Sequence, residues 1–343
     1  MFKKLSKPYL IAEISANHFG KLNNAIKLLN IAKKNGADAV KLQTYTPDWM
    51  TLRSNKKYFK IKSGLWSGYN LWDLYDRGKT PIEWHRKLFD HAKKIKINIF
   101  STPFDKKAVD LLEELNCNKY KISSFEINDI ELIKYVAQTR KPIIMSTGMA
   151  NLEEIDLAYE TAKKYGCKDI ALLYCVSSYP SNLKEFNLNN IKILKDRYKC
   201  EVGLSDHSNN NSIPAIAVSF GAKIFEKHIA IKNLTKSLDY KFSLKDKEIY
   251  DYKKIILDSF LVTKNKKFSR ANSELKNRIF RRSIFTIKPI QKGEKFSKSN
   301  IKVVRPGYGL EPKFFLKILG KKSKIKLPKS VPLKSKHILK FKI

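Results

Sequence analysis

Four pairs of chemically capable side chains are each separated by one residue: Lys41 and Gln43, Lys121 and Ser123, Ser205 and His207, and Glu226 and His228. In an extended strand, residues two apart share a face, so each pair aims into one space. An ionisable side chain inside a buried strand costs several kcal/mol unless it is paired or used, which makes such positions worth following. Two lysines among hydroxyls such as Ser101, Thr102, Ser146 and Thr147 form a cradle for a compact dianion, a phosphate ester for example. His207 in GLSDH and His228 in FEKHI end successive strand-like runs, with Asp206 and Glu226 beside them. A single strand histidine is more often a satisfied core residue. Two that converge across a barrel mouth can share one cation, and a set with only two nitrogens suits Mn²⁺ or Mg²⁺ better than a closed tetrahedral zinc. Glu13 and Asn17 lie at the end of the first run; His18 and His85 can also face such a site, although nothing in their spacing requires it.

These residues must be positioned by β-rich runs, of which there are eight: 9–17, 39–44, 98–103, 120–124, 142–148, 170–176, 201–207 and 223–229. Between and after them lie helical patterns such as 24–35, 82–94, 106–115, 130–139, 152–165 and 246–262. Eight such alternations predict a (β/α)8 TIM barrel, whose catalytic groups gather at the C-terminal strand ends. A doubly wound open sheet is the rival, but no glycine-rich dinucleotide turn follows the first strand.

Residues 45–80 are far longer than an ordinary βα loop and carry Trp49, Tyr58, Phe59, Trp66, Tyr69, Trp72 and Tyr75. The segment reads either as a cover over the barrel mouth or as an insertion packed on its flank, and its position after the second strand favours the cover. Beyond a barrel domain at 1–262, residues 263–282 are polar and basic and read as a linker, partly helical. Residues 283–343 carry β-like runs (SIFTI, IKVV, HILKFKI) between Gly, Pro and Ser turns, which predicts a small β-rich domain.

The 343 residues carry a net charge of +37, which raises nucleic acid or an anionic membrane as a partner. That charge is spread along the whole chain without aromatic interleaving, as on solvated helix faces, so neither partner is expected. Glu13 interrupts the N-terminal apolar run, no cleavage-site pattern follows, and no run of eighteen apolar residues exists. Cys117, Cys167, Cys175 and Cys200 have neither CxxC spacing nor disulfide-scaffold density. The expected compartment is the reducing cytoplasm.

The motifs IAEISANH, KLQTY, STPFD, YKISSFE, PIIMSTGM, YCVSSYPS, GLSDHS and FEKHI, followed by RRSIF and VVRPGYGL, resemble in order those of the sialic acid synthase family, including its C-terminal antifreeze-like (SAF) domain. The stretches LWDLYDRGKTPIEWH and RPGYGL are similar to the branch that makes pseudaminic acid. The resemblance implies a metal-dependent condensation of phosphoenolpyruvate with an amino-sugar aldehyde, in a domain-swapped homodimer. It implies that His207 and His228 bind the metal, that Lys41, Thr102, Lys121, Ser146 and Ser205 hold phosphoenolpyruvate, and that Gln43, Glu126, Asp239 and Arg305 hold the sugar, Arg305 coming from a second subunit. Asn17 and Ser123 join the substrate-binding set from their strand-end positions, and Glu13 or Glu226 is the candidate for activating water. Two departures stand out: the family's usual Gly-Pro before Asp239 is Ser237-Leu238 here, and Ile82 replaces a tryptophan. Other readings are an N-acetylneuraminate or legionaminic acid synthase, a Schiff-base aldolase using Lys41, Lys121 or Lys227, and a basic nucleic-acid-binding barrel.

Overall fold

The computed structural model describes residues 1–2, 5–265 and 267–341. The chain divides into two compact units, 1–264 and 265–343.

The first unit is a closed parallel barrel. Its strands are β1 (Tyr9–Glu13), β2 (Ala39–Thr44), β3 (Asn98–Pro103), β4 (Tyr120–Ile122), β5 (Ile143–Ser146), β6 (Ile170–Cys175), β7 (Glu201–Asp206) and β8 (Ile224–Ala230). They pair in sequence order, and β1 closes on β8 with Glu13 opposite His228. A two-residue strand, β9 (Leu244–Lys245), adds in parallel to the end of β8. The surrounding helices turn apolar stripes inward at helical spacing, as with Ala25, Leu28, Leu29 and Ala32 of Leu22–Lys34.

Several strands stop short of the expected runs. The first ends at Glu13 because Ser15 adopts a positive φ of 39° and its N–H turns back to the Glu13 carboxylate at 2.8 Å. Among the helices not expected from the sequence are two that follow β6 and β7. Asn189–Tyr198 buries only Ile191 and Leu194 along its length, too thin a stripe to stand out. Ser212–Ser219 is eight residues, apolar nearly all round, with Pro214 in its first turn, where a proline is tolerated.

The barrel closes tightly at Gly203. A Cβ there would lie 1.9 Å from the Ile224 carbonyl oxygen and 2.7 Å from Leu173 Cδ2, so β7 and β8 approach too closely for any side chain.

The second unit pairs β10 (Ser283–Thr286) antiparallel with β11 (Ile301–Val304). Its own core includes Ile284, Ile290, Phe296, Ile301, Leu310, Ile318, Leu327, Leu333 and Ile338. Ahead of it lie a helical turn at Asn272–Leu275 and a 3₁₀ segment at Lys276–Phe280. HILKFKI is not the expected strand. Its start falls in a 3₁₀ turn at Ser335–His337, Ile338 makes one isolated bridge to Ser323, and Lys342 and Ile343 lie outside the described residues.

Gly203→Ala is expected to lower stability by about 3 kcal/mol or more, since backbone rather than a flexible side chain must yield. A urea midpoint equal to that of the parent would contradict the close β7–β8 contact.

Candidate active site

A cavity of about 480 Å³ opens among the C-terminal strand ends. Lys41, Gln43, Thr102, Lys121, Ser123, Glu126, Ser146, Ser205, His207, Glu226, His228 and Asp239 all line it. Strand parity explains the selection: in β8 the side chains of Glu226 and His228 face inward while Lys227, between them, faces the outer side. There Lys227 pairs with Asp206 at 3.4 Å and donates to the Ser208 carbonyl, close to Tyr252. Lys227 therefore has no access to the cavity and drops out as a Schiff-base lysine.

Lys41 is the electrostatic centre. Its ammonium forms a short ion pair with Glu13, donates to Thr102 Oγ1 at 3.1 Å and lies 3.7 Å from Glu226 Oε1. Burial disfavours the Lys41 charge, yet Glu13 and Glu226 outweigh it and hold the ammonium above its usual pKa. The two carboxylates are driven apart. Burial raises the Glu13 pKa despite Lys41, whereas on Glu226 burial is overcome by Lys41, Lys121 and both histidines, so that carboxylate is held below its usual range. Lys121 is pushed down by burial, against the pull of Glu226, and its Nζ donates to the Ile122 carbonyl at 2.9 Å.

The other polar groups are held by short local contacts. Gln43 Nε2 donates to Ser15 Oγ at 3.0 Å, Ser205 Oγ to Glu226 Oε1 at 3.3 Å, and Ser123 Oγ to the Glu126 carboxylate, whose pKa burial raises. The hydroxyl of Ser146 and Oε2 of Glu226 are buried without a hydrogen-bond partner, a costly condition that a bound polar molecule would relieve.

The imidazoles of His207 and His228 meet at the mouth with ring centroids 5.5 Å apart. His207 Nδ1 lies 3.1 Å from the Val176 carbonyl, which fixes the tautomer and leaves Nε2 with its lone pair. His228 Nδ1 stands 3.5 Å from Asp239 Oδ2. No group of three or more His, Cys, Asp or Glu capable of holding a metal ion occurs among the described residues. The donor set is thus two nitrogens beside buried carboxylates, and it fits a divalent cation that draws its remaining ligands from substrate and water.

Two residues expected at the site do not reach it. Glu13, fully buried, spends Oε1 on the Ser15 N–H and Oε2 on Lys41 and contributes no cavity surface, so it positions Lys41 rather than touching substrate. Asn17 donates to the Ile229 carbonyl and Ser243 Oγ, both at 2.8 Å, and accepts from the Asp239 N–H at 3.3 Å, so it braces a loop. His18 and His85 are also outside. His18 packs edge-on against Trp84 with its pKa pushed down by burial to about 4, and His85 Nε2 lies 2.9 Å from Thr44 Oγ1. Arg305 follows β11 in the second unit.

Residues 45–80 supply one wall of the cavity through Tyr45, Met50, Ile61, Trp66, Leu71, Leu74, Tyr75 and Gly78. The remaining aromatics stay outside: Trp72 Nε1 donates to Asp48 at 2.9 Å beneath Arg53, and Tyr69 accepts from Arg77 at 2.7 Å. Sequence reasoning missed Tyr179, whose ring centroid is 4.5 Å from that of His207, and Phe242, 4.9 Å from His228. It also missed Cys175, which contacts Ser124 and Ser177 hydroxyls at 3.2 Å each.

A parallel barrel with buried ammoniums, hydroxyls and paired imidazoles at its catalytic end defines a barrel enzyme for a small anionic substrate. The NeuB family model matches residues 28–267 and the SAF domain model residues 281–339. The chain belongs to the NeuB family. It is 43% identical over 322 residues to the pseudaminic acid synthase of Campylobacter jejuni serotype O:2, covering 94% of each chain, and 42% identical over 336 residues to that of Helicobacter pylori, covering 97% of this chain and 98% of that one. The crystal structure of N-acetylneuraminic acid synthetase from Leptospira borgpetersenii in complex with citrate superposes with a TM-score of 0.71 at 29% identity, covering 79% of this chain and 90% of that one.

Replacing Lys41 by Met leaves Glu13 and Glu226 buried without their cation, a loss expected to cost about 3–5 kcal/mol at neutral pH. Without the lysine's pull the Glu13 pKa, already raised by burial, and the Glu226 pKa both move upward. A group raised in the fold gives up stability as pH rises, so the variant should be closest to the parent in acid and fall behind it toward pH 8. Urea denaturation at pH 5 and pH 8 measures this; an equal deficit at both would contradict the assigned charge balance.

Proposed function

We propose that this protein condenses phosphoenolpyruvate with 2,4-diacetamido-2,4,6-trideoxy-L-altropyranose and water to give pseudaminic acid and phosphate. One observation carries the reading: Lys41, Thr102, Lys121, Ser146 and Ser205 converge on one cavity beside His207 and His228, in a chain 42–43% identical over nearly its whole length to synthases named for that product.

In this account Lys41 and Lys121, with the Thr102, Ser146 and Ser205 hydroxyls, bind the phosphate and carboxylate of phosphoenolpyruvate and fix its C3 toward the sugar. Gln43, Glu126 and Asp239 orient the open-chain aldehyde, with the serine that fixes the Glu126 carboxylate, Ser123, beside them. A divalent cation, Mn²⁺ or Mg²⁺, held by His207 and His228 would supply Lewis-acid polarisation of the aldehyde oxygen. C3 of phosphoenolpyruvate forms a bond to the aldehyde carbon, whose oxygen takes a proton. Positive charge appears at C2, water adds there, and phosphate leaves with cleavage of its bond to C2. Glu226, held ionised beside this carbon, stabilises that charge and accepts the proton of the attacking water. Tyr179 and Phe242 keep the imidazoles in place and exclude bulk water from their faces.

Arg305 is read as a further sugar ligand, supplied in trans by a second subunit of a domain-swapped homodimer, as the family resemblance implies. No helix among the described residues is long and apolar enough to cross a membrane. We assign the reaction to the cytoplasm, a reading that rests on the cysteine spacing.

Mass spectrometry of the products from phosphoenolpyruvate and candidate aldehydes, with phosphate release followed in parallel, tests the assignment. The nine-carbon diacetamido product and one phosphate per turnover are expected, while rapid formation of N-acetylneuraminate instead would overturn it. His207→Ala and His228→Ala should each lose at least about a thousandfold in kcat with the fold retained, and a chelator should reproduce the loss. Arg305→Ala should raise KM for the sugar about tenfold or more and leave KM for phosphoenolpyruvate nearly unchanged. Unaltered sugar kinetics would remove Arg305 from the site.

A further inference from the structure

The cavity has two chemically distinct halves. Its floor, at the strand ends, carries Lys41, Lys121 and Glu226 with the two imidazoles. Its outer wall is mostly apolar: Met50, Ile61, Trp66, Leu71 and Leu74 of the long insertion line it with Leu238 of the loop after β8, beside the Tyr45 and Tyr75 rings. The indole N–H of Trp66 points to the Leu238 carbonyl at 3.4 Å. The wall is held by contacts within the insertion. Ile61 and Tyr69 are joined through the Ile61 N–H at 2.9 Å, the Gly68 N–H returns to the Ile61 carbonyl at 2.9 Å, and the helix Leu71–Gly78 buries Leu74.

The reacting aldehyde must lie at the polar floor, beside the lysines and imidazoles. An open-chain hexose then extends away from the floor, and its far carbon comes against the wall. We infer that Ile61, Trp66, Leu71 and Leu74 select a sugar whose terminal carbon is a methyl group and discriminate against the hydroxymethyl counterpart. A hydroxyl buried there would lose its water and find among these four residues only the Trp66 N–H, which is already directed at the Leu238 carbonyl, whereas a methyl loses nothing and gains contacts. The inference rests on the proposed reaction and adds the residues that read the sugar's far end.

The test compares kcat/KM for two aldehydes at saturating phosphoenolpyruvate: 2,4-diacetamido-2,4,6-trideoxy-L-altrose and the same sugar with a hydroxyl on carbon 6. The parent enzyme is expected to favour the deoxy sugar by about tenfold or more. Leu71→Gln, which places an amide in the wall at a half-buried position, should shrink that ratio severalfold with KM for phosphoenolpyruvate unchanged. Ile61→Gln serves as a second variant should the first fail to fold. Use of both sugars within twofold by the parent, or a ratio that neither variant moves, overturns the inference and leaves the proposed reaction standing. Preference for N-acetylmannosamine over both sugars overturns the reaction and the inference together.

Discussion

The burial of one ammonium between two carboxylates is the constraint from which the rest of the site follows. Lys41 lies in a barrel interior where an isolated charge is prohibitive, and Glu13 and Glu226 make it tolerable. The arrangement is asymmetric. Glu13 is consumed by the pairing and by a backbone N–H, while Glu226 keeps an oxygen free inside the cavity and is further surrounded by Lys121 and the two imidazoles. One glutamate therefore acts as scaffold for the lysine, and the other is left ionised where charge can develop during a reaction. The division arises from strand pairing: Glu13 stands opposite both Lys41 and His228, so closing the barrel brings these groups together.

The same closure separates two sets of charges that the sequence interleaves. Asp206 and Lys227 alternate with Ser205, His207, Glu226 and His228, yet they pair with each other and Tyr252 on the outer side of the sheet. A charged residue on each face of a strand is then matched on its own face, and neither set disturbs the other. The cavity receives a compact cluster in place of a diffuse field. The insertion adds the complementary half, an apolar wall, so the two ends of a bound molecule meet opposite environments.

Much of this was legible in the sequence. β2 and β3 run over the residues their patterns indicated, and the spacing of two within Lys41–Gln43, Ser205–His207 and Glu226–His228 placed each pair correctly in one cavity. What could not be read depends on distant partners. The amide of Asn17 belongs to Ser243 and Ile229, more than 200 residues away, so a strand-end asparagine that looked like a ligand is a brace. Glu13 and Glu226 carry the same functional group, and only the turn at Ser15 decides which is used up. Tyr179 lies in a loop and Phe242 in a short 3₁₀ segment, neither with a periodic signal, and their contacts with the imidazoles arise only when the barrel closes. The HILKFKI run misled because alternating apolar residues mark a chain half in contact with a core, and a 3₁₀ turn beside a small core achieves the same.

The loop bearing Asp239 and Phe242 is fastened at both ends. It leaves from the end of β8, and β9 returns it by pairing Leu244 and Lys245 with Ile229 and Ala230. Asn17 clasps it once more through the Asp239 N–H and Ser243. A tether pinned this way has little freedom left for its own composition to remove. The Ser237-Leu238 pair within it need not supply stiffness from its own backbone. Drift in the middle of the span is absorbed by its anchors, and the carboxylate at position 239 stays beside its histidine while its neighbours are free to vary.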